Sequence, residues 1–257
     1  MITRRALLHA SLALTACATT SSSKPRARGP VVIVPGTGAG KWAYEKLAAA
    51  LERRGRRAIP LTLPVMGERI AELKPEIDVN THARDVAAQL EALDAREVTL
   101  VGHSYGGMVI AGAAGERVRS LVFLDAYVPK PGESLLEQDP GFASFIAERV
   151  KKDGEGWKIP PFPGDQFLTA PADIKFFDEH VTACPFAMYQ AGVHVDEDAF
   201  ARAHKGYVSC GQYQYFIALG ERKAAEGWPL RHLPYGHLSC VTNPDETADA
   251  IVAVEGP

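Results

Sequence analysis

From Pro30 onward, short apolar runs alternate with segments whose apolar residues recur every three or four positions. Pro30-Val31-Val32-Ile33-Val34 is a β-branched run stopped by Pro35-Gly36, which predicts a buried strand. Trp42 to Arg54 carries Leu47, Ala48 and Leu51 on one helical face, and Gly55 follows as a helix-ending glycine should. Arg57 to Leu61 reads as a second strand. Asn80 to Leu93 is helical, with Val86, Leu90 and Leu93 on one face. Val98-Thr99-Leu100-Val101 is a third strand, Tyr105 to Ala114 an apolar helix, and Leu121 to Leu124 a fourth strand. The rhythm then breaks. Tyr127 to Lys205 is richer in Pro, Gly and aromatic residues, with helix fragments at Phe142 to Val150 and Ala172 to Val181. It resumes with a strand at Tyr207 to Cys210, a helix at Phe216 to Glu226 and a strand at Leu230 to Leu233. A last helix opens at Asn243-Pro244-Asp245-Glu246, where Asn suits the N-cap, Pro the first helical position and Glu a capping box.

Strands alternating with helices predict an α/β fold: a mostly parallel sheet covered by helices on both faces. Ligands in such folds bind beyond the carboxyl ends of the strands. The irregular stretch, approximately residues 128–205, leaves after one strand and returns before the next. It is therefore expected to lie over that edge as a helical cap within a domain spanning 30–257. No tandem repeat is visible.

The first residues have a different character. Arg4 and Arg5 precede an apolar run from Ala6 to Ala16, the pattern of an export signal. The run ends in Leu14-Thr15-Ala16-Cys17, which resembles a bacterial lipobox with Cys17 as the lipidated residue; Thr3-Arg4-Arg5 also resembles a twin-arginine start. Residues 1–17 are read as the leader and 18–29, small, polar and basic, as a flexible tether. The expected location is the periplasm, with a membrane reached only through the lipid. Cleavage at Cys17 leaves Cys184, Cys210 and Cys240, which allow either one disulfide or three buried free thiols.

Composition narrows the partners. Of 257 residues, 46% are hydrophobic and 23% charged, and the net charge of −3 gives no reason to expect a nucleic-acid partner. His and Cys are scattered without the short spacings of a zinc site, so neither metal nor cofactor is implied. Gly36-Thr37-Gly38-Ala39-Gly40-Lys41 invites a phosphate-loop reading, but no Ser or Thr follows the Lys and the glycine spacing is wrong.

The third strand ends in Gly102-His103-Ser104-Tyr105-Gly106, and a helix starts at once. This is G-x-S-x-G in the strand–turn–helix context that pushes a serine above the sheet edge. A serine hydroxyl needs a base to take its proton. Of the eight histidines, His237 follows the last strand in a loop opened by Gly236, at the edge where Ser104 is expected. His103, beside the serine, is read as a packing residue turned into the sheet, and His232 lies inside a strand.

These residues, with Val34-Pro35-Gly36-Thr37, Trp42, Lys46-Leu47, Leu124-Asp125-Ala126-Tyr127-Val128-Pro129 and Pro234-Tyr235-Gly236-His237, resemble the α/β-hydrolase superfamily. The closer likeness is to the branch of plant methyl-ester esterases, hydroxynitrile lyases and their bacterial relatives. The resemblance implies a triad acid, commonly placed after the strand that follows the cap. Here that stretch, Cys210 to Tyr215, has no carboxylate, and the first one downstream is Glu221 in a helix. Asp125, at the end of the strand after the nucleophile strand, is the better candidate. The resemblance also implies an oxyanion hole from the backbone N–H groups of Thr37 and Tyr105. Aromatic residues of the cap, Phe142, Phe145, Trp157, Phe162, Phe167, Phe176, Phe177, Phe186 and Tyr189, supply candidates for an apolar pocket. The expected activity is cleavage of small or medium hydrophobic carboxylic esters through an acyl-enzyme. Two alternatives stand beside it: a non-catalytic ligand-binding protein on the same scaffold, and a hydroxynitrile-lyase-like enzyme. The plant lyases carry a Lys after the catalytic His, where this chain has Leu238.

Overall fold

The computed structural model describes residues 28–257. The leader, Cys17 and nearly all of the tether lie outside the described residues. All six strands expected in the main sheet form, among the helices that the periodicity marks: β1 (Val31–Val34), α1 (Glu45–Arg53), β2 (Ala58–Pro60), α2 (Val79–Ala92), β3 (Val98–His103), α3 (Gly106–Gly112) and β4 (Val118–Leu124) come first. The excursion holds α4 (Leu135–Gln138), α5 (Pro140–Asp153), β5 (Lys158–Ile159), α6 (Pro171–His180), β6 (Cys184–Pro185), α7 (Ala187–Gln190) and α8 (Glu197–Arg202). The chain then returns through β7 (His204–Cys210), α9 (Gln214–Ala225), β8 (Leu230–Leu233), α10 (Ser239–Thr242) and α11 (Pro244–Val254).

The main sheet has six strands in the order β2-β1-β3-β4-β7-β8, every neighbouring pair parallel. β1 is apolar throughout because it is buried on both faces. Alternation sends Val31 and Ile33 against Leu47 and Leu51 of α1 and Ile251 of α11. Val32 and Val34 join Val86 and Leu90 of α2 and Met108 of α3 on the other face. The edge strand β8 exposes Arg231 and His232, a polar edge that discourages pairing with another chain. Strand order reverses between β1 and β3, so the loops after these two strands part and leave a crevice at the carboxyl edge.

Side chains cap several of the helices. Asp78 caps α2 by accepting from Thr81 N–H, and Asp139 caps α5 with Pro140 in its first turn. The capping box expected at the last helix does not form. Asn243 is at once the end of α10 and the start of α11, and its N–H is spent on Ser239 O at 2.8 Å. Its backbone (φ −135°, ψ 58°) therefore lacks the extended geometry that aims a capping side chain. Glu246 instead accepts from Tyr235 Oη.

Inside the cap, β5 and β6 form a two-stranded antiparallel ladder too short to announce itself in the sequence. Cys184, Cys210 and Cys240 are buried free thiols, so the disulfide alternative does not occur. Burial pushes the Cys184 and Cys240 thiols up to about 12. Among the described residues, no helix is long and apolar enough to cross a membrane.

Candidate active site

The turn between β3 and α3 is tight enough to demand glycine on both sides. A Cβ on Gly102 would fall 2.5 Å from Gly106 O, and one on Gly106 would fall 2.5 Å from Val34 O. Ser104 between them takes a left-handed φ of 55°, an uncommon conformation for a residue with a side chain. Surrounding bonds hold it there. Its N–H donates to Leu124 O at 3.2 Å, and its carbonyl accepts from Gly107 N–H at 3.1 Å and Tyr127 N–H at 3.2 Å.

Asp125 follows β4 directly and is fully buried. It too has a left-handed backbone, at φ 43°. Its N–H donates to Val208 O at 2.6 Å, which ties it to the neighbouring β7. One carboxylate oxygen, Oδ1, accepts from Cys210 N–H at 2.8 Å. The other, Oδ2, lies 2.6 Å from Nδ1 of His237. A carboxylate can only accept, so the proton of neutral His237 sits on Nδ1 and the lone pair is left on Nε2. The imidazole is further fixed by Phe216, whose ring stacks on it at 5.4 Å and 4°. Gln212 Oε1 accepts from the His237 N–H at 2.8 Å.

The other expected positions fall as follows. Ser104 and His237 line one cavity of about 250 Å³, together with Thr37. The Gly36 N–H is taken by Tyr44 Oη at 2.9 Å. Among the described residues, no carbonyl accepts from the N–H of Thr37 or of Tyr105. Thr37 lines the cavity, whereas Tyr105 is fully buried and is not among its lining residues. Of the aromatic cap residues, Phe142, Phe145, Phe162, Phe167, Phe177 and Tyr189 line the cavity, whereas Trp157, Phe176 and Phe186 do not. Glu221 is exposed on α9, and Asp196 caps α8 by accepting from Ala199 N–H.

His103 departs from the sequence reading. It is buried as expected, but it lines the cavity and bridges two loops instead of only filling space. Its Nδ1 lies 2.8 Å from Tyr44 Oη and its Nε2 lies 2.9 Å from His237 O. Sequence reasoning also passed over Tyr44, Gln212 and the His82–Tyr105 pair. His82 Nδ1 lies 2.8 Å from Tyr105 Oη and His82 Nε2 lies 3.0 Å from Pro64 O. Burial lowers His82 to about 4, so it is neutral near pH 7. Among the described residues, no group of three or more His, Cys, Asp and Glu is placed to hold a metal ion.

The comparison with known proteins agrees with the fold. The sequence matches the alpha/beta hydrolase family over residues 31–250, and the chain belongs to that family. It is 31% identical over 239 residues to a carbendazim hydrolyzing esterase of Nocardioides sp. (strain SG-4G), covering 87% of this chain and 98% of that protein. It is 33% identical over 94 residues to an alpha-hydroxynitrile lyase of Arabidopsis thaliana, covering 35% of this chain and 36% of the lyase. Among solved structures, an extracellular α/β-hydrolase from a Paenibacillus species superposes with a TM-score of 0.73 at 19% identity, covering 89% of this chain and 99% of that one. At that identity the likeness speaks to the fold alone.

Proposed function

We propose that this chain is a serine esterase acting on small or medium hydrophobic carboxylic esters. The observation that carries the reading is the 2.6 Å hydrogen bond between buried Asp125 and His237, which lines one cavity with Ser104. His237 Nε2, left basic by that bond, takes the Ser104 proton as Oγ attacks the ester carbonyl. The Thr37 and Tyr105 N–H groups receive the charge that develops on the carbonyl oxygen. The imidazolium formed on His237 is stabilised by Asp125 and returns its proton to the leaving alcohol. Water, activated by the same base, then hydrolyses the acyl-enzyme. The aromatic walls of the cavity favour an apolar acyl or alcohol group.

A fluorophosphonate should label Ser104, and p-nitrophenyl esters of graded acyl length should turn over. Carbendazim, named for the Nocardioides relative, belongs in the same panel. Ser104→Ala should lower turnover by about a thousandfold or more. Retention of more than a hundredth of the rate would sink the reading. Labelling without turnover would favour a ligand-binding protein, and cyanohydrin cleavage would favour a lyase. Leu238 beside His237 lines the cavity with an apolar group and argues for hydrolysis.

The leader supports a second proposal, that the protein is exported and anchored through a lipid on Cys17. Cys17→Ser should abolish lipid labelling in the native host; unprocessed protein in the cytoplasm would refute the proposal.

A further inference from the structure

We propose that Tyr44 and His103 are positioning residues that lock the oxyanion loop, the nucleophile elbow and the general-base loop together through one hydrogen-bond relay of fixed direction. The inference rests on the esterase reading of Ser104, His237 and Asp125.

The relay has three links. Gly36 N–H lies 2.9 Å from Tyr44 Oη, Tyr44 Oη lies 2.8 Å from His103 Nδ1, and His103 Nε2 lies 2.9 Å from His237 O. For a neutral imidazole only one assignment of protons satisfies all three. The His237 carbonyl can only accept, so His103 carries its proton on Nε2. A neutral imidazole then presents a bare Nδ1, so the Tyr44 hydroxyl must donate to it. The lone pairs of that hydroxyl are thereby left to accept from Gly36 N–H. His103 is kept neutral by its burial and, second, by the neighbouring His237. Burial likewise raises Tyr44 and keeps its hydroxyl protonated as a donor.

Each link ends one residue from a reacting group or on it. Gly36 precedes Thr37, whose N–H is the oxyanion donor; His103 precedes Ser104; the His237 carbonyl belongs to the base itself. The relay joins one local link, 8 residues between partners, to two long-range ones of 59 and 134 residues. With Gln212 on its N–H and His103 on its carbonyl, His237 is held by its main chain from both sides. The packing leaves no slack: a Cβ on Gly36 would stand 3.1 Å from the Ser104 Cβ and 3.2 Å from His103 Nδ1.

The relay also has an electrostatic consequence. The His103 and His237 rings are 4.6 Å apart between centroids. During acylation His237 gains a positive charge, and a second cation at that distance would oppose it. Burial keeps the His103 ring uncharged, and the Tyr44 hydroxyl satisfies its Nδ1 without a second proton.

The tests are nitrogen NMR of His103 in the wild-type protein and a double-mutant cycle. The NMR should show the Nε2–H tautomer, uncharged wherever the protein is folded. An Nδ1–H tautomer or an imidazolium would overturn the relay, whatever the enzyme does. For kinetics, Tyr44→Phe removes the hydroxyl. His103→Gln can keep a donor for the His237 carbonyl but loses the acceptor for Tyr44. With rates counted per fluorophosphonate-titrated site, each variant should lower kcat about 10- to 100-fold, the scale of a small misplacement of reacting groups, with KM changed less than about twofold. The double variant should be no slower than the worse single, because both break one relay. Single variants within about twofold of wild type per titrated site, losses confined to KM, or losses that multiply in the double variant would each overturn the proposal. Failure of the esterase reading shows separately, as no labelling of wild-type Ser104.

Discussion

Two buried carboxylates stand at opposite ends of the same sheet. Asp125 is fully buried at the carboxyl end of β4, and Glu255, 2% exposed, lies after α11 near the amino ends of the strands. Asp125 accepts from one backbone N–H and from His237. Glu255 accepts from Arg56 through Nε and Nη2, from Arg28 Nη1 and from Thr99 Oγ1. Arginine is charged at any pH the fold survives, so the Glu255 cluster is a fixed ionic clamp joining the start and end of the body. In the proposed mechanism His237 is charged only while it holds the Ser104 proton, so Asp125 balances a charge that comes and goes. Under the proposed esterase reading the same side-chain chemistry thus serves cohesion at one end and proton transfer at the other, and the partner decides which.

The largest expected effect breaks the catalytic half of this contrast. Asp125→Asn should lower kcat by about a thousandfold or more with little change in KM, because the amide no longer holds the Nδ1–H tautomer or balances the imidazolium. Steady-state kinetics on a p-nitrophenyl ester measures it. A loss under tenfold would show that Asp125 is merely a structural carboxylate like Glu255.

Glu255→Gln should do the reverse. Arg56, largely buried itself, would lose its counter-ion, at a cost of about 3 kcal/mol or more of folding stability. In a domain of this size that lowers Tm by roughly 6–12 °C, whereas turnover per titrated site should stay within about twofold. Intact stability, or an equal loss of turnover, would erase the distinction between the two ends.

Acid titration gives the smallest effect. His82 titrates at about 4 in the folded chain, against about 6.5 unfolded, and burial is the first cause. The unfolded chain therefore binds the proton first, and stability is lost as pH falls from about 6.5 to about 4, by up to about 3 kcal/mol. Thermal melts across that window should show the decline, and His82→Gln should flatten it. An unchanged slope in the variant would assign the acid sensitivity elsewhere.

Hydrophobic periodicity and short motifs determined a good deal on their own. Apolar runs rich in β-branched residues marked β1, β3 and β4, because a strand buried on both faces needs such a run whatever its neighbours are, and the edge strands β2 and β8 followed from the alternation with helices. The spacing of Gly102, Ser104 and Gly106 marked the elbow because the turn is local. The absence of a carboxylate from Cys210 to Tyr215, beside Asp125 at the end of β4, singled out the residue that meets His237. Tertiary structure decided the rest. The small β5–β6 ladder, the unmade capping box at Asn243 and the bridging role of His103 depend on partners distant in sequence. Tyr44, Gln212 and His82 look like ordinary helix and loop residues until folding brings them to the carboxyl edge. A periodic pattern records which face of an element is buried. The hydrogen bonds that position reacting atoms form between loops, and their geometry exists only once the sheet has set the distance between them.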